Sequence, residues 1–185
     1  MDNSTTLPRG FRAGGWHAGI KKEQNDFGVI LSDEPSPAHA VFTRNNFPGN
    51  PVIVGREHIR GGKLQAIIVN SGNSNVATGA EGLALVREYV AEAAQILGIR
   101  AEHILPSSTG VIGRPLPRQT MIDACRQIPQ RIHSPDLESF SRAILTTDRW
   151  PKEKSVRLSS GITITGVAKG AGMICPDMAT LLAFV

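Results

Sequence analysis

Three asparagines lie within six residues of the sequence, at positions 70, 73 and 75, directly after an apolar run that ends at Val69. Asparagine side chains readily hydrogen-bond nearby backbone groups, so this pattern is typical of a turn. In open α/β sheets, however, binding sites lie at the ends of strands. Both interpretations stay open for Asn70 and Asn73, which become candidate site residues if the apolar run is a strand.

A second segment, residues 107–113, reads Ser-Ser-Thr-Gly-Val-Ile-Gly. A turn of small residues can direct backbone N–H groups at one point, which is what an oxyanion hole requires. Thr109 and Gly110 are the candidate donors, although the same residues also suit a plain turn.

The third segment is Thr146-Thr147-Asp148, which ends a predicted helix. Two hydroxyls and a carboxylate at this position suit the binding of a polar substrate. They suit the end of a helix equally well, because short polar side chains compete for backbone hydrogen bonds.

The fourth segment, residues 166–182, combines several glycines with Lys169. It lacks the Lys-Ser or Lys-Thr pair of a phosphate-binding P-loop, and it lacks the G-x-G-x-x-G spacing of a dinucleotide site. The glycines therefore give little support to phosphate binding.

Together these segments resemble the ornithine acetyltransferase family, the bifunctional glutamate N-acetyltransferases. The resemblance covers nearly the whole chain, since the motifs occur in the family's order. They are Gly10-Phe11, Ala18-Gly19-Ile20-Lys21, Val41-Phe42-Thr43-Arg44-Asn45, the asparagine segment, Ser108-Thr109-Gly110, Thr146-Thr147-Asp148 with Pro151-Lys152, Lys169-Gly170-Ala171-Gly172-Met173 and Pro176-Asp177-Met178-Ala179-Thr180-Leu181-Leu182.

The resemblance implies that a precursor cuts itself between Ala179 and Thr180. The new α-amine of Thr180, with an ordinary pKa of roughly 7.7–8, then serves as the base for its own hydroxyl. Thr180 takes an acetyl group from N-acetylornithine, or a related N-acetyl amino acid, and passes it to glutamate in a ping-pong cycle. By the same resemblance Thr109 and Gly110 form the oxyanion hole, and Thr146, Lys169 and Thr180 bind substrate. Thr147, Asn70 and Asn73 are further candidates.

The cleavage motif departs from the arginine-pathway pattern at Asp177, where those members usually have a neutral residue, and at Leu181-Leu182, where Met-Leu is commoner. This form looks like relatives from secondary metabolism. An acyltransferase or amidohydrolase acting on a secondary-metabolite amine is therefore a second hypothesis, and a non-catalytic binding module is a third. The sequence also runs past Ala179, so a fragment, a different division of the precursor and cleavage after Val185 remain alternatives to cleavage before Thr180.

Apolar periodicity and turn residues indicate an α/β fold with mixed sheets covered by layers of helices. Expected strands are residues 28–31, 40–43, 51–54 and 64–69, a hairpin of 156–158 with 162–164, and a final strand at 180–185. Residues 65–69 are almost continuously apolar, which predicts a central strand covered on both faces.

Three helices are expected. In the first, residues 83, 86, 90, 94 and 97 share one face, Thr78 and Glu81 form a capping box, and Gly98 follows the end. The second begins with Pro117 in its first position and ends near Ile128. The third has Ser134 as its cap and Pro135 at its start, with Leu137, Phe140 and Ile144 on one face.

The resemblance adds N-terminal-nucleophile chemistry and a second, β chain that completes the fold, in an α2β2 assembly. The chain would then divide into a flexible tail at residues 1–8, an α-chain domain at 9–179, and the start of the β chain at 180–185. Because the sequence stops within an apolar run, we also expect more polypeptide there.

The composition excludes several other classes of protein. A net charge of +4 with scattered basic residues, together with nine aromatic residues, argues against nucleic-acid binding. Cys125 and Cys175 form neither a zinc motif nor a disulfide framework, so we expect no metal, no cofactor and a reducing, cytoplasmic setting. With no long apolar run and no signal peptide, we expect no membrane partner.

Overall fold

The computed structural model describes residues 5–133, 136–170 and 181–185. Within that part of the chain, two sheets and four α-helices form the mixed α/β fold that the sequence predicts. The strands are β1 (Phe11–Trp16), β2 (Phe27–Pro37), β3 (Lys63–Asn73), β4 (Ile104–Val111), β5 (Lys152–Arg157), β6 (Thr163–Lys169) and β7 (Leu182–Phe184). The helices are α1 (Asn50–His58), α2 (Gly79–Leu97), α3 (Arg118–Arg131) and α4 (Leu137–Ala143), with short 3-10 turns at Ile59–Gly61 and Ala101–His103.

The first sheet has the order β1-β2-β3-β4, with antiparallel pairs up to β3 and a parallel pair between β3 and β4. The expected central strand is confirmed as β3. Its side chains alternate between two cores, since Ala66 and Ile68 pack on one face and Val69 on the other. This double coverage explains why the strand is almost continuously apolar.

Helices α2 and α3 cover one face of this sheet and contribute Val86, Tyr89 and Met121 to the larger core. Helix α4 covers the other face, where Phe140 and Ile144 pack with Val167 of the second sheet. Both sets of helical apolar residues recur at the spacing of one helix face, as predicted.

The second sheet has the order β5-β6-β7, and the expected hairpin is confirmed as β5 and β6. Strand β7 runs antiparallel to β6, so that Leu182 pairs with Lys169. Gly170 follows Lys169, and Leu181 precedes Leu182. The two described residues that border the segment 171–180 are therefore each next to a member of this strand pair.

Several local expectations are wrong. Residues 51–54 belong to helix α1 instead of a strand, because Pro51 suits a first helical turn and a short β-branched run does not distinguish the two structures. Residues 40–43 form no strand, and β1 is a strand that the pattern missed. Residues 107–111 lie in β4, so the expected turn is a strand end.

The predicted helix caps are confirmed only in part. Thr78 does precede α2, but its hydroxyl donates to Asn75 Oδ1 instead of forming the capping box. Gly98 has the expected left-handed conformation, with φ of 66°. Pro117 is the residue before α3. Asp136 caps α4 by accepting a hydrogen bond from the Ser139 N–H, whereas Ser134 and Pro135 lie outside the described residues.

Among the helices of residues 5–133, 136–170 and 181–185, none is both long and apolar enough to cross a membrane.

Candidate active site

The parallel ends of β3 and β4 form the base of the candidate site. In this register Ser71 pairs with Thr109 and Gly72 pairs with Gly110. Gly110 has φ of +129°, and a Cβ built on it would lie 2.4 Å from the carbonyl carbon of Gly72. Glycine is therefore required here, because a side chain would push the two strand ends apart.

Lys169, at the end of β6, is the centre of the site. Its side chain is only 2% exposed, and its ammonium Nζ donates to Thr146 Oγ1 at 2.7 Å and to Thr109 Oγ1 at 3.1 Å. Three predicted site residues from separate parts of the chain thus meet at one point. Burial lowers the pKa of Lys169 below that of an exposed lysine, and the negative charge of Asp148 partly opposes this shift.

The direction of these hydrogen bonds has a chemical consequence. An ammonium group only donates, so the two threonine hydroxyls accept from Lys169 and each keeps its own proton to donate elsewhere. Among the described residues, no carboxylate lies within ion-pair distance of Lys169. A buried cation with two polarised hydroxyls suits a negatively charged oxygen, either of a carboxylate or of a reaction intermediate.

Asp148 fixes the backbone that follows Lys169. Its side chain is buried, and Oδ1 accepts from the Gly170 N–H at 2.8 Å and from the ammonium of Lys152. Burial alone would raise the pKa of Asp148, but these hydrogen bonds outweigh it and hold the pKa below its usual value. The neighbouring Thr147 hydroxyl takes part in none of the hydrogen bonds found among the described residues.

The asparagine segment forms a separate network. Asn70 Nδ2 donates to the Asn73 carbonyl at 2.8 Å, and Asn73 Nδ2 donates to the carbonyls of Arg114 and Pro115, at 3.0 Å each. Asn75 Nδ2 donates to the Gly82 carbonyl at 2.9 Å. Asn70 and Asn73 lie in strand β3, so a turn at these two positions is wrong. Their hydrogen bonds support the backbone around the strand ends and do not involve Lys169, Thr109 or Thr146.

Two residues near the site, Lys21 and Asp26, make hydrogen bonds that hold the local backbone, a role that the sequence did not indicate. Lys21 stands out in the sequence only as part of a motif, and an aspartate between two strands is typical of a turn. In the structure Asp26 is completely buried and accepts four backbone N–H groups from residues 18–21. The burial of a carboxylate cannot be inferred from its local sequence.

The sequence and the fold of the chain match known proteins. The sequence pattern of the ArgJ family matches residues 12–185. The chain is 47% identical, over 178 residues, to the arginine biosynthesis bifunctional protein ArgJ 2 of Clostridium acetobutylicum, a match that covers 96% of this chain and 46% of that protein. The chain belongs to the ArgJ family. It spans about half the length of the curated relatives that it matches.

Solved structures of ArgJ-family proteins have the same fold. The arginine biosynthesis bifunctional protein ArgJ of Bacillus halodurans superimposes with a TM-score of 0.84 at 34% identity, over 98% of this chain and 96% of that one. The ornithine acetyltransferase of Mycobacterium tuberculosis, crystallised with ornithine, gives a TM-score of 0.88 at 31% identity, over 98% of both chains. The predicted family and fold class are confirmed.

A cleft of about 650 Å³ opens beside Thr109 and Gly110 in this ArgJ-family chain. Its walls are mainly apolar and include Phe42, Ile112 and Leu181. This volume lies in the range of small-molecule sites. Thr180 and Ala179, the predicted nucleophile and cleavage position, lie outside the described residues.

The close contact between the strand ends predicts that alanine destabilises the protein more at Gly110 than at Gly113. Gly110→Ala is expected to lower the free energy of unfolding by about 3 kcal/mol, because strain at positive φ adds to a backbone clash. Gly113→Ala is the control, since Gly113 also has a positive φ, of +81°, but nothing lies within 4 Å of an added Cβ. Its expected cost is only about 1–2 kcal/mol.

Thermal unfolding of both variants of the complete protein measures this difference. A Tm decrease at least one and a half times as large, by roughly the ratio of these two costs, for Gly110→Ala supports the close contact of β3 and β4. Equal decreases would show that this contact does not constrain position 110.

Proposed function

We propose that this chain is the nucleophile-bearing part of an acetyltransferase, which moves an acetyl group from N-acetylornithine, or a related N-acetyl amino acid, to glutamate. The observation that carries the proposal is the buried Lys169 ammonium bound to the Thr109 and Thr146 hydroxyls. The proposed role needs a site that stabilises negative oxygen and binds an amino acid, and this cluster has the donors for both.

The connection between the site and Thr180 supports the proposal. Leu182 pairs with Lys169, and Thr180 precedes Leu182 by two residues in the sequence. Two residues span at most about 7 Å of extended chain. A nucleophile at position 180 is therefore compatible with a substrate held by Lys169, Thr109 and Thr146.

The first proposed step is self-cleavage. The Thr180 hydroxyl attacks the Ala179 carbonyl carbon, and the C–N bond breaks as the amide becomes an ester and the Thr180 nitrogen takes the proton. Water then hydrolyses the ester and releases Ala179 as a carboxylate. The free α-amine of Thr180, with an ordinary pKa of about 8, takes the hydroxyl proton in later cycles.

The second step is acetyl transfer. Thr180 attacks the acetyl carbonyl of the donor, and the Thr109 hydroxyl and the Gly110 N–H stabilise the resulting oxyanion. The donor amine leaves with a proton, and the amine of glutamate then takes the acetyl group from Thr180. Lys169 and Thr146 bind the amino-acid part of the substrate, where the ammonium suits a carboxylate. Ornithine bound to the related M. tuberculosis enzyme supports this substrate class.

We also propose that a β chain from the same precursor completes the site, in an α2β2 assembly that works in the cytoplasm. Relatives about twice as long as this chain support a second part. The exposed apolar side chains of Phe47, Val111 and Ile112, near the cleft, are consistent with burial by additional polypeptide.

Incubating the complete purified protein with N-acetylornithine tests the proposed reaction. Release of ornithine is expected to require glutamate and to yield N-acetylglutamate in equal amount, as followed by chromatography. Equally fast release of ornithine and acetate without glutamate would favour the amidohydrolase hypothesis. Failure to convert N-acetylornithine in any mixture would contradict the proposed donor.

A further inference from the structure

A second lysine lies beside the proposed site without belonging to it. Residues 17–26 connect β1 to β2 at the edge where β3 and β4 end, because Phe27 pairs with Asn70 and Asn70 with Ser108. The buried Asp26 carboxylate accepts from the backbone N–H groups of this loop, including that of Lys21 at 2.7 Å. Four such bonds, of 2.6 to 3.2 Å, hold the Lys21 backbone in one place.

The Lys21 side chain passes directly over the end of β3. A Cβ built on Gly72, where φ is +96°, would lie 2.7 Å from Lys21 Cγ. The stem of Lys21 therefore occupies the space that a side chain at position 72 would need. The Gly72 backbone in turn lies against Gly110. Gly72 therefore separates Lys21 from the proposed oxyanion hole.

The Lys21 ammonium ends at the segment that carries Thr146. Nζ donates to the Leu145 carbonyl at 2.6 Å and to the Asn25 carbonyl at 2.9 Å. Burial lowers the pKa of Lys21 to about 8; the Asp26 charge opposes this and the Lys169 charge adds to it. Leu145 immediately precedes Thr146, whose hydroxyl accepts from Lys169.

We infer that Lys21 is a positioning residue for the acyl-transfer site: it holds the Leu145 carbonyl and so sets the Thr146 hydroxyl against Lys169. Asp26 fixes the Lys21 backbone, and Gly72 leaves room for its stem. The inference rests on the proposed function, because Thr146 is taken to bind the substrate. A hydroxyl displaced by about 1 Å loses much of its effect on a bound substrate.

Lys21→Met in the complete protein tests this role, because methionine keeps an unbranched stem but cannot donate to the Leu145 carbonyl. We expect kcat/KM for acetyl transfer to fall by about 10–100-fold. Lys22→Met is the matched control, since Lys22 is the adjacent, exposed lysine, and it should leave kcat/KM unchanged. Equal values for Lys21→Met and the unaltered protein would overturn the inference.

A double-mutant cycle separates positioning from a general loss of structure. In a Thr146→Ala background, Lys21→Met should lower kcat/KM by less than about 3-fold, because the hydroxyl that it positions is already absent. The same fold-loss with and without Thr146 would mean that Lys21 acts independently of Thr146, and would overturn the inference.

Hydrogen exchange gives a readout that does not depend on activity. The backbone amides of Ile144 and Leu145, which donate to the carbonyls of Phe140 and Arg142, should exchange faster in Lys21→Met than in Lys22→Met. Unchanged exchange would overturn the positioning role even if the protein transfers acetyl groups. Absence of transfer by the unaltered protein would instead overturn the proposed function, and the exchange result would still decide what Lys21 does.

Discussion

Replacing Thr180 with alanine is expected to leave the protein as one uncut polypeptide and to lower kcat for acetyl transfer by about 10⁴-fold or more. The hydroxyl has two roles in the proposed mechanism: it attacks the Ala179 carbonyl during cleavage, and it carries the acetyl group afterwards. Alanine removes both roles at once. Lys169, Thr109 and Thr146 would still be present to bind the substrate, but position 180 would have no hydroxyl to receive the acetyl group.

Mass spectrometry of the purified complete protein measures the cleavage, and ornithine release measures the transfer. Thr180→Ser is the control, because serine keeps a hydroxyl and, after cleavage, an adjacent amine. It should still cut and turn over, and the second chain should begin with Ser at position 180. A Thr180→Ala protein that was cut and active would show that the nucleophile lies elsewhere, and cleavage after Val185 would be visible in the same spectra.

The sequence predicts best those elements in which one local pattern decides the structure. Helix α2 combines a full apolar face with a glycine at its end, and both features appear in the structure. Strand β3 is apolar enough to require cover on both faces, which it receives. The motifs that identify the family also single out Thr109, Thr146 and Lys169, which the fold brings together.

Predictions fail where distant residues compete for the same group. The Thr78 hydroxyl suits a capping box locally, but it accepts from the Asn50 side chain, 28 residues away, and donates to Asn75 Oδ1 instead. Residues 107–111 look like a turn because they are small and polar. They form a strand because β3 supplies a parallel partner along their whole length.

The same reason limits prediction of the site. Lys169 is separated from Thr109 by 60 residues and from Thr146 by 23, so no local spacing indicates that one ammonium binds both hydroxyls. The burial of Lys169 and of Asp26 is likewise a product of the assembled sheets. Sequence motifs name the residues, but the geometry that gives them a chemical role comes from the fold.

Lys169→Met is expected to lower kcat/KM without lowering the free energy of unfolding. Removing one partner of buried, charge-assisted hydrogen bonds costs about 2–5 kcal/mol of binding, so kcat/KM should fall by about 30–5,000-fold. The free energy of unfolding should stay the same or rise, because an apolar side chain of similar shape avoids the cost of burying a charge. Substrate kinetics and thermal unfolding of the same preparation measure the two effects.

Lys154→Met provides the matched control, since Lys154 is an exposed lysine on β5 and lies outside the hydrogen-bonded cluster. It should change neither kcat/KM nor Tm. Lower activity of Lys169→Met together with a large loss of stability would mean that the ammonium maintains the fold, and the activity loss would then say nothing about substrate. A loss of activity in a protein at least as stable as the original would show that the Lys169 ammonium acts on the substrate. Burial disfavours this charge, and in that case the fold does not need it, so its role lies in what it binds.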